Sequence, residues 1–409
     1  MMTILVYIAV YIGLFGAVFY FLGFFKKRQM PELIGKYEPK VSIIIPMHNE
    51  EKGISVTIEN ALALDYPKNK LQIIVVDDGS TDDCYKIACK FRKFGVLVVS
   101  KKNGGKGSAM NFGLKRATGE IIFTMDADGT YPEKNALKEM VYFFRHPDVY
   151  CVSPAIAVHN PKGFWQKIQQ AEFLLGIFLR KAFASMDALS ITPGAFSAYR
   201  KKFFDEYGGF DEDNITEDLE IALRIQRNNF VVENAHNAHV YTVCPDNFIG
   251  LLKQRRRWYV GLLRNLWKHN VLFSRKYGDL GVVVLPIVIL SVFFSVILTF
   301  YLTIRTLLRL KLDLEILQGV NFAASSFYIT KYAIQKYLLL FFSNPLTYLA
   351  FFFFVFLIGY MIFAKRNLKK YSNFGFGLIF FLLFFSILFV FWWTVSLIYV
   401  IFNRKVLWK

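Results

Sequence analysis

The sequence predicts an α/β domain, a mostly parallel sheet with helices on both faces, inserted between transmembrane helices and tied to the bilayer by interfacial amphipathic helices. Three observations predict it. Between about residues 40 and 245, short runs rich in Val and Ile alternate with longer, polar, helix-compatible stretches, the pattern of a parallel sheet covered on both faces. The 409-residue chain is 55% hydrophobic and 18% aromatic, above the apolar usage of soluble proteins. Its stretches with the roughly 20 apolar residues needed to cross a bilayer fall outside that middle region, at about 3–25, 280–303, 337–363 and 375–403.

The first stretch reads as a retained anchor over residues 1–28. It lacks the basic start and small-residue cleavage site of a signal peptide, and its positive cluster, Lys26 to Arg28, follows the apolar run. The positive-inside rule then puts the middle region in the cytoplasm, together with the short basic loop Ala364 to Lys370. Both termini fall outside, a count against which Arg404, Lys405 and Lys409 lie on the wrong face. The expectation is an integral protein of the plasma membrane with a cytoplasmic domain. A net charge of +18 would suggest nucleic acid in a soluble protein. Here much of the excess flanks the spans or lies between Lys253 and Lys276, so membrane lipid is the expected partner and nucleic acid is not. Cys84, Cys89, Cys151 and Cys244 show no CxxC spacing and read as buried free thiols of a reducing compartment.

Along the chain, "KVSIIIPMHNE" gives a buried strand from Val41 to Ile45, and "KGISVTIENALAL" the helix after it. "LQIIVVDDGSTD", "GVLVVSKKN" and "GEIIFTMDADG" are apolar runs too short for ordinary helices, each stopped by polar or glycine residues. Ligands of such sheets bind at the carboxyl ends of the strands, which here carry Asp77, Asp78, Asp126 and Asp128. Residues 163–186 and 246–269 mix aromatic, apolar and cationic residues at helical spacing, as helices lying in the membrane interface do. The chain thus divides into an anchor (1–28), a catalytic domain (40–245), interfacial helices (246–279) and a membrane region of about three spans (280–409). Within the last, residues 304–336 are an ambiguous amphipathic piece.

"MDADG" sets Asp126 and Asp128 two residues apart at a strand end. A lone pair of this kind is usually a turn in which Asp caps backbone amides. Beside a second acidic strand end, "VVDDGSTD", it suits a hard cation such as Mg2+ or Mn2+, held by one or two carboxylates plus substrate phosphates. "KKNGGKGSAMNFG" offers backbone amides and the Lys106 charge to an anion. In "NITEDLEIALRIQ", Thr216 with Glu217 and Asp218 reads as ordinary helix capping or as a general base facing the metal pair. A nucleotide-binding receptor would not need all three features, and a transporter would carry ionisable residues within its spans. Trp392 and Trp393 read as an interfacial aromatic belt, or as aromatic faces open to stacking.

In this order the strings "VSIIIPMHNE", "VVDDGSTD", "GGKGSAMN", "MDADG", "TPGAFSAYR", "GGFDEDNITED" and "QRRRW" resemble the membrane-embedded, processive family-2 glycosyltransferases: the cellulose, chitin, hyaluronan and poly-N-acetylglucosamine synthases. The resemblance covers residues 41–261 almost without gaps, and "QRRRW" fits the QxxRW signature of that group. It implies a GT-A type nucleotide-sugar-binding domain and an inverting, metal-dependent hexosyltransferase. The donor would be a UDP-sugar, UDP-N-acetylglucosamine or UDP-glucose. The acceptor would be a growing β-linked polysaccharide moved across the membrane, or alternatively a single membrane lipid. Carried over position by position, Asp78 contacts uridine and ribose, with Pro46, His48 and Glu50 lining the pocket and Lys106 at the donor. Asp126 and Asp128 bind Mg2+ or Mn2+, and Asp218, beside Glu217, is the base. Gly194, Ala195 and Phe196 fall at the acceptor, Gln254 and Arg257 face the diphosphate and acceptor, and Trp258 holds the acceptor sugar. Helical spacing points Gln254, Arg257 and Trp258 together and turns Arg255 and Arg256 elsewhere. Two departures stand out. "DADGTYP" is closer to the dolichyl-phosphate sugar transferases than to DADT or DADS, and the few spans leave room for accessory membrane or export subunits.

Overall fold

The computed structural model describes residues 2–26, 28–31, 36–319, 331–367 and 375–406. The charges expected of Lys27, Lys369, Lys370 and Lys409, and residues 320–330 of the ambiguous amphipathic piece, lie outside the described residues. Eight strands form one sheet: β1 (Val41–Met47), β2 (Leu71–Asp77), β3 (Leu97–Ser100), β4 (Ile121–Thr124), β5 (Thr130–Pro132), β6 (Val149–Val158), β7 (Ala198–Arg200) and β8 (Val231–Thr242). Their order is β3-β2-β1-β4-β7-β6-β8-β5. The four strands read from the sequence make its parallel half. The other half is mixed. β6 and β8 are parallel, but β7 runs against both its neighbours and β5 runs against β8. The sheet is therefore less parallel than expected, because β5 and β7 are three residues each, too short to show a period of their own.

The helices are α1 (Met2–Phe25), α2 (Ile54–Leu62), α3 (Cys84–Cys89), α4 (Lys106–Leu114), α5 (Ala136–Val141), α6 (Phe164–Ser185) and α7 (Lys201–Tyr207). They continue as α8 (Glu217–Arg227), α9 (Phe248–Lys268), α10 (Leu285–Gly319), α11 (Lys331–Ser343), α12 (Pro345–Asn367) and α13 (Gly375–Ile401). Successive strand residues point to opposite faces, and β1 divides its side chains accordingly. Ile43 and Ile45 join Val75, Phe123 and Met140 in one core, while Ile44 joins Ile74, Ile122, Tyr199 and Ile221 in the other. Both faces are buried, which is why the run is apolar throughout. β1 pairs with β4 only over Val41 to Ile44, so Pro46 sits where β1 has a strand on one side alone and its missing N–H is tolerated.

The two helices expected in the membrane interface form the seam between the sheet and the membrane-capable helices. From α6, Ile177 and Phe178 pack with Ala17 and Phe24 of α1, Tyr360 of α12 and Phe381 of α13. From α9, Tyr259 stacks on Trp393 of α13 with ring centroids 4.4 Å apart. Trp392 and Trp393 are buried in this seam. They form neither an aromatic belt nor an open surface for sugar, because α9 covers them. Arg28, just past α1, pairs with Asp187 and Glu233 and binds the first span to the domain.

Among the described residues, three helices are long and apolar enough to cross a membrane, or four if one bent pair counts as a span. The stretch 337–363, expected as one span, is that pair, α11 and α12 meeting at 76°. The break falls at Asn344, before Pro345, which disfavours helical geometry in the residue preceding it. The expected span 280–303 is also longer than its apolar run. α10 has 35 residues, about 53 Å of helix, and carries the first part of the amphipathic piece as a continuation through Gly319.

Candidate active site

The strand-end half of the site is built on turns. Asp77 closes the turn after β2, accepting from the Ser80 amide (3.1 Å) and the Ser100 hydroxyl (2.7 Å). Asp78 is 3% exposed and faces the glycine loop, accepting from Lys101 Nζ (2.8 Å) and the amides of Gly104 (3.0 Å) and Gly105 (2.7 Å). Gly79, at φ +70, allows this: a Cβ there would stand 2.8 Å from the Asn103 amide nitrogen. His48 Nδ1 lies 3.0 Å from the Asp78 carbonyl, which places His48, just past β1, beside that loop, while Glu50 stands near Asp128 and repels its carboxylate. Pro46 is buried beneath them.

Asp126 and Asp128 follow β4 in a turn clamped from two sides. The Asp126 amide donates to the Ala195 carbonyl (3.3 Å), and the Thr130 hydroxyl to the Asp126 carbonyl (3.0 Å). Asp128 is exposed. Desolvation, then repulsion from Asp126 and Glu50, pushes its carboxyl up to about 6. Such a pair offers oxygen ligands only and relaxes when a cation neutralises it, so it fits a hard divalent ion. Among the described residues no group of three metal-binding side chains occurs.

Lys106, at the start of α4, joins the two halves. Its ammonium pairs with Asp126 (2.7 Å) and Glu217 (3.1 Å). Burial works against that charge, but Asp126, Glu217 and Asp218 outweigh it and hold its pKa above the usual lysine range. Gly194 makes the approach possible, since a Cβ there would lie 2.9 Å from Lys106 Nζ and 3.0 Å from an Asp218 oxygen. Its neighbours do otherwise. Ala195 holds the Asp126 turn through its backbone, and the Phe196 side chain, expected at the acceptor, is fully buried against Phe123 instead.

Asp218 sits in the first turn of α8. One carboxylate oxygen accepts from the Leu219 amide (2.9 Å), and its carbonyl accepts from the Thr192 hydroxyl (2.7 Å). Burial and then the neighbouring Glu217 raise its carboxyl to about 6, against the pull of Lys106 and Arg257. Glu217 itself is buried and tied to Lys106. Arg257 donates to the Ile215 carbonyl (3.4 Å) and so stands near Asp218, whose charged form it favours. Gln254 lies on the same face of α9. Arg255 diverges from them as expected: it is 0% exposed, pairs with Glu172 of α6, and lies over the Trp258 ring at 4.3 Å. Arg256 reaches the Tyr399 hydroxyl at 2.8 Å. Arg255 thus turns to an acidic neighbour inside the protein.

The expected capping by Thr216 is absent, because its side chain makes no cap hydrogen bond. Its hydroxyl accepts from Asn265 Nδ2 at 2.9 Å instead. Sequence reasoning missed Asn265, Asn214 and Thr192. Thr192 directly precedes "PGAF", whereas the only trace of Asn265 is its spacing of two turns from Arg257. A cavity of about 670 Å³ lies beyond α8, lined by Glu220, Arg224, Lys268 and His269, and none of the residues above lines it.

Residues 42–208 match the model of glycosyl transferase family 2. The poly-beta-1,6-N-acetyl-D-glucosamine synthase of Staphylococcus epidermidis is 27% identical over 265 residues, 62% of this chain and 63% of that protein. Its namesake from Staphylococcus aureus (strain COL) is 28% identical over 226 residues, 54% of each chain. The matched region thus spans less than two thirds of these relatives. A mannosyltransferase from Pyrobaculum calidifontis, solved with GDP-Man and Mn2+, shares the fold, with a TM-score of 0.56 over 90% of this chain and 100% of that one at 22% identity. Sheet, motifs and matches converge on one region: residues 42–208 are similar to glycosyl transferase family 2, within an α/β domain of GT-A-like fold that lies between membrane-capable helices.

Proposed function

We propose that the chain is an inverting, metal-dependent glycosyltransferase that moves N-acetylglucosamine from its UDP-sugar to a growing β-linked polysaccharide. The relatives' printed activity supports that sugar and product. The observation that carries the reaction type is Asp218, a carboxyl raised to about 6, facing Arg257 and the Lys106–Asp126 pair across one cleft. A base poised near working pH suits proton removal from a hydroxyl.

In this reading, Asp78, His48 and Glu50 with the glycine loop hold the nucleoside, and Pro46 backs their strand end. Asp126 and Asp128 would hold Mg2+ or Mn2+, which would supply Lewis-acid relief of charge on the diphosphate. Lys106, Gln254 and Arg257 stand towards the leaving group, and Trp258 offers its free edge to the acceptor sugar. Asp218 takes the acceptor hydroxyl proton as that oxygen bonds to the anomeric carbon and the bond to the diphosphate breaks. One displacement inverts the centre, so an α-linked donor gives a β-linked product. The seam of α6 and α9 keeps this site against the bilayer, on the cytoplasmic side of a cell membrane, where accessory subunits can complete an export path.

The test is to incubate membranes containing the protein with labelled UDP-N-acetylglucosamine or UDP-glucose and Mn2+, then size the product. Polymer from the first donor, lost on chelation, is expected. A single glycolipid would replace the polymer reading with a lipid acceptor, and no transfer from either donor would overturn the proposal.

A further inference from the structure

One face of α9 is joined to the segment that carries Asp218 at four successive levels. Residues 257, 261, 265 and 268–269 are spaced by three or four and share a helix face. Arg257 donates to the Ile215 carbonyl. Gly261 lies so close to Thr216 that a Cβ would stand 2.2 Å from its hydroxyl oxygen. Asn265 Nδ2 donates to that hydroxyl at 2.9 Å. It also forms a reciprocal amide pair with Asn214, at 2.7 Å in one direction and 3.2 Å in the other. Lys268 (3.3 Å) and His269 (3.2 Å) both meet Glu220, one turn further along α8.

The third level is the directional one. Asn265 is 1% exposed and Thr216 4%, and buried amides and hydroxyls are costly unless bonded. The same Asn214 oxygen accepts from the Thr216 amide at 3.1 Å. Fixing Asn265 therefore fixes the turn that enters α8, and Asp218 lies two residues beyond Thr216. The Thr216 hydroxyl, free of capping, serves the contact between helices.

We propose that Asn265 is a positioning residue for the general base, locking segment 214–220 onto α9 so that Asp218 and Arg257 move as one body. The proposal rests on the reading of Asp218 as base. Asn265 touches no reacting atom; it acts through Thr216 and Asn214.

The test uses the full-length protein in membranes, with Asn265→Leu, Thr216→Val and Thr216→Ser beside Asp218→Asn. Asn265→Leu and Thr216→Val are expected to lower kcat by about 100-fold, the scale of a misplacement of roughly 1 Å. UDP affinity by titration and the donor KM stay near those of the unaltered protein. Thr216→Ser keeps the hydroxyl and with it most of kcat. Unchanged kcat in Asn265→Leu and Thr216→Val overturns the lock while an inactive Asp218→Asn leaves the base in place. Loss of UDP affinity in parallel with kcat, or an equal loss in Thr216→Ser, assigns the contact to folding alone and also overturns it. If Asn265→Leu does not fold, the Thr216 pair decides. Transfer retained by Asp218→Asn removes the base reading and the lock together.

Discussion

On the side of β1, β2 and β4, the acidic side chains after β2 are held by groups a short way along the chain. Asp77 and Asp78 find their partners 3 to 27 residues away. On the side of α8 and α9, the contacts join residues 42 to 51 apart, through a helix that is itself pressed against α13. The first half forms wherever the sheet forms. The second requires α9 to be docked, so the membrane-capable helices shape the surroundings of Asp218. A soluble fragment keeping the sheet would keep the nucleotide pocket and lose the geometry around Asp218.

The largest expected effect separates the halves by function. Asp218→Asn should lower transfer by about 100-fold or more, the range of general-base loss, while UDP and its sugar bind as before. A variant keeping more than about a hundredth of the activity would remove Asp218 from that role.

Arg255 and Arg257 sharpen the contrast, two residues apart on one helix. Arg255→Gln breaks a buried ion pair with Glu172, whose carboxyl burial raises and Arg255 opposes. Stranding one member of such a pair costs about 3 kcal/mol, read as a lower melting temperature or yield in detergent. Adding Glu172→Gln should return part of it. Arg257→Gln and Trp258→Ala should cost turnover with little change in melting. Equal losses of both kinds at all three positions would merge the two roles.

The smallest effect is in pH. A base must be deprotonated, and Asp218 is held near 6 by burial, then by Glu217, with Lys106 opposing. Below about pH 6, kcat/KM should fall by about tenfold per unit and level off above it. Lys106→Met removes a charge that favours the carboxylate, so the limb should move to higher pH. A limb that stays in place would mean that Lys106 does not govern Asp218.

How much could be read in the sequence follows the same division. β1 to β4 were legible because a strand buried on both faces is continuously apolar, and Asp78, Asp126 and Asp128 because they end those strands. β5 and β7 were not, being three residues each. Asp218 was legible as a candidate, but its neighbour Thr216 looked like a cap, since local pattern cannot show that its hydroxyl is claimed by Asn265. Trp392 and Trp393 were misread for the same reason. An aromatic pair in an apolar run has no mark that tells a lipid-facing ring from one covered by another helix.

The ion pairs of Arg28 bear on the order in which the molecule is made. Its partners Asp187 and Glu233 follow it by 159 and 205 residues. At about 5–20 residues per second of synthesis, the first span leaves the ribosome on the order of ten to forty seconds before Glu233 exists. Arg28 therefore stays in water while the domain is made, and the guanidinium is withdrawn only when the domain closes over it. The last step of domain folding thus seats the finished domain on the helix that was made first.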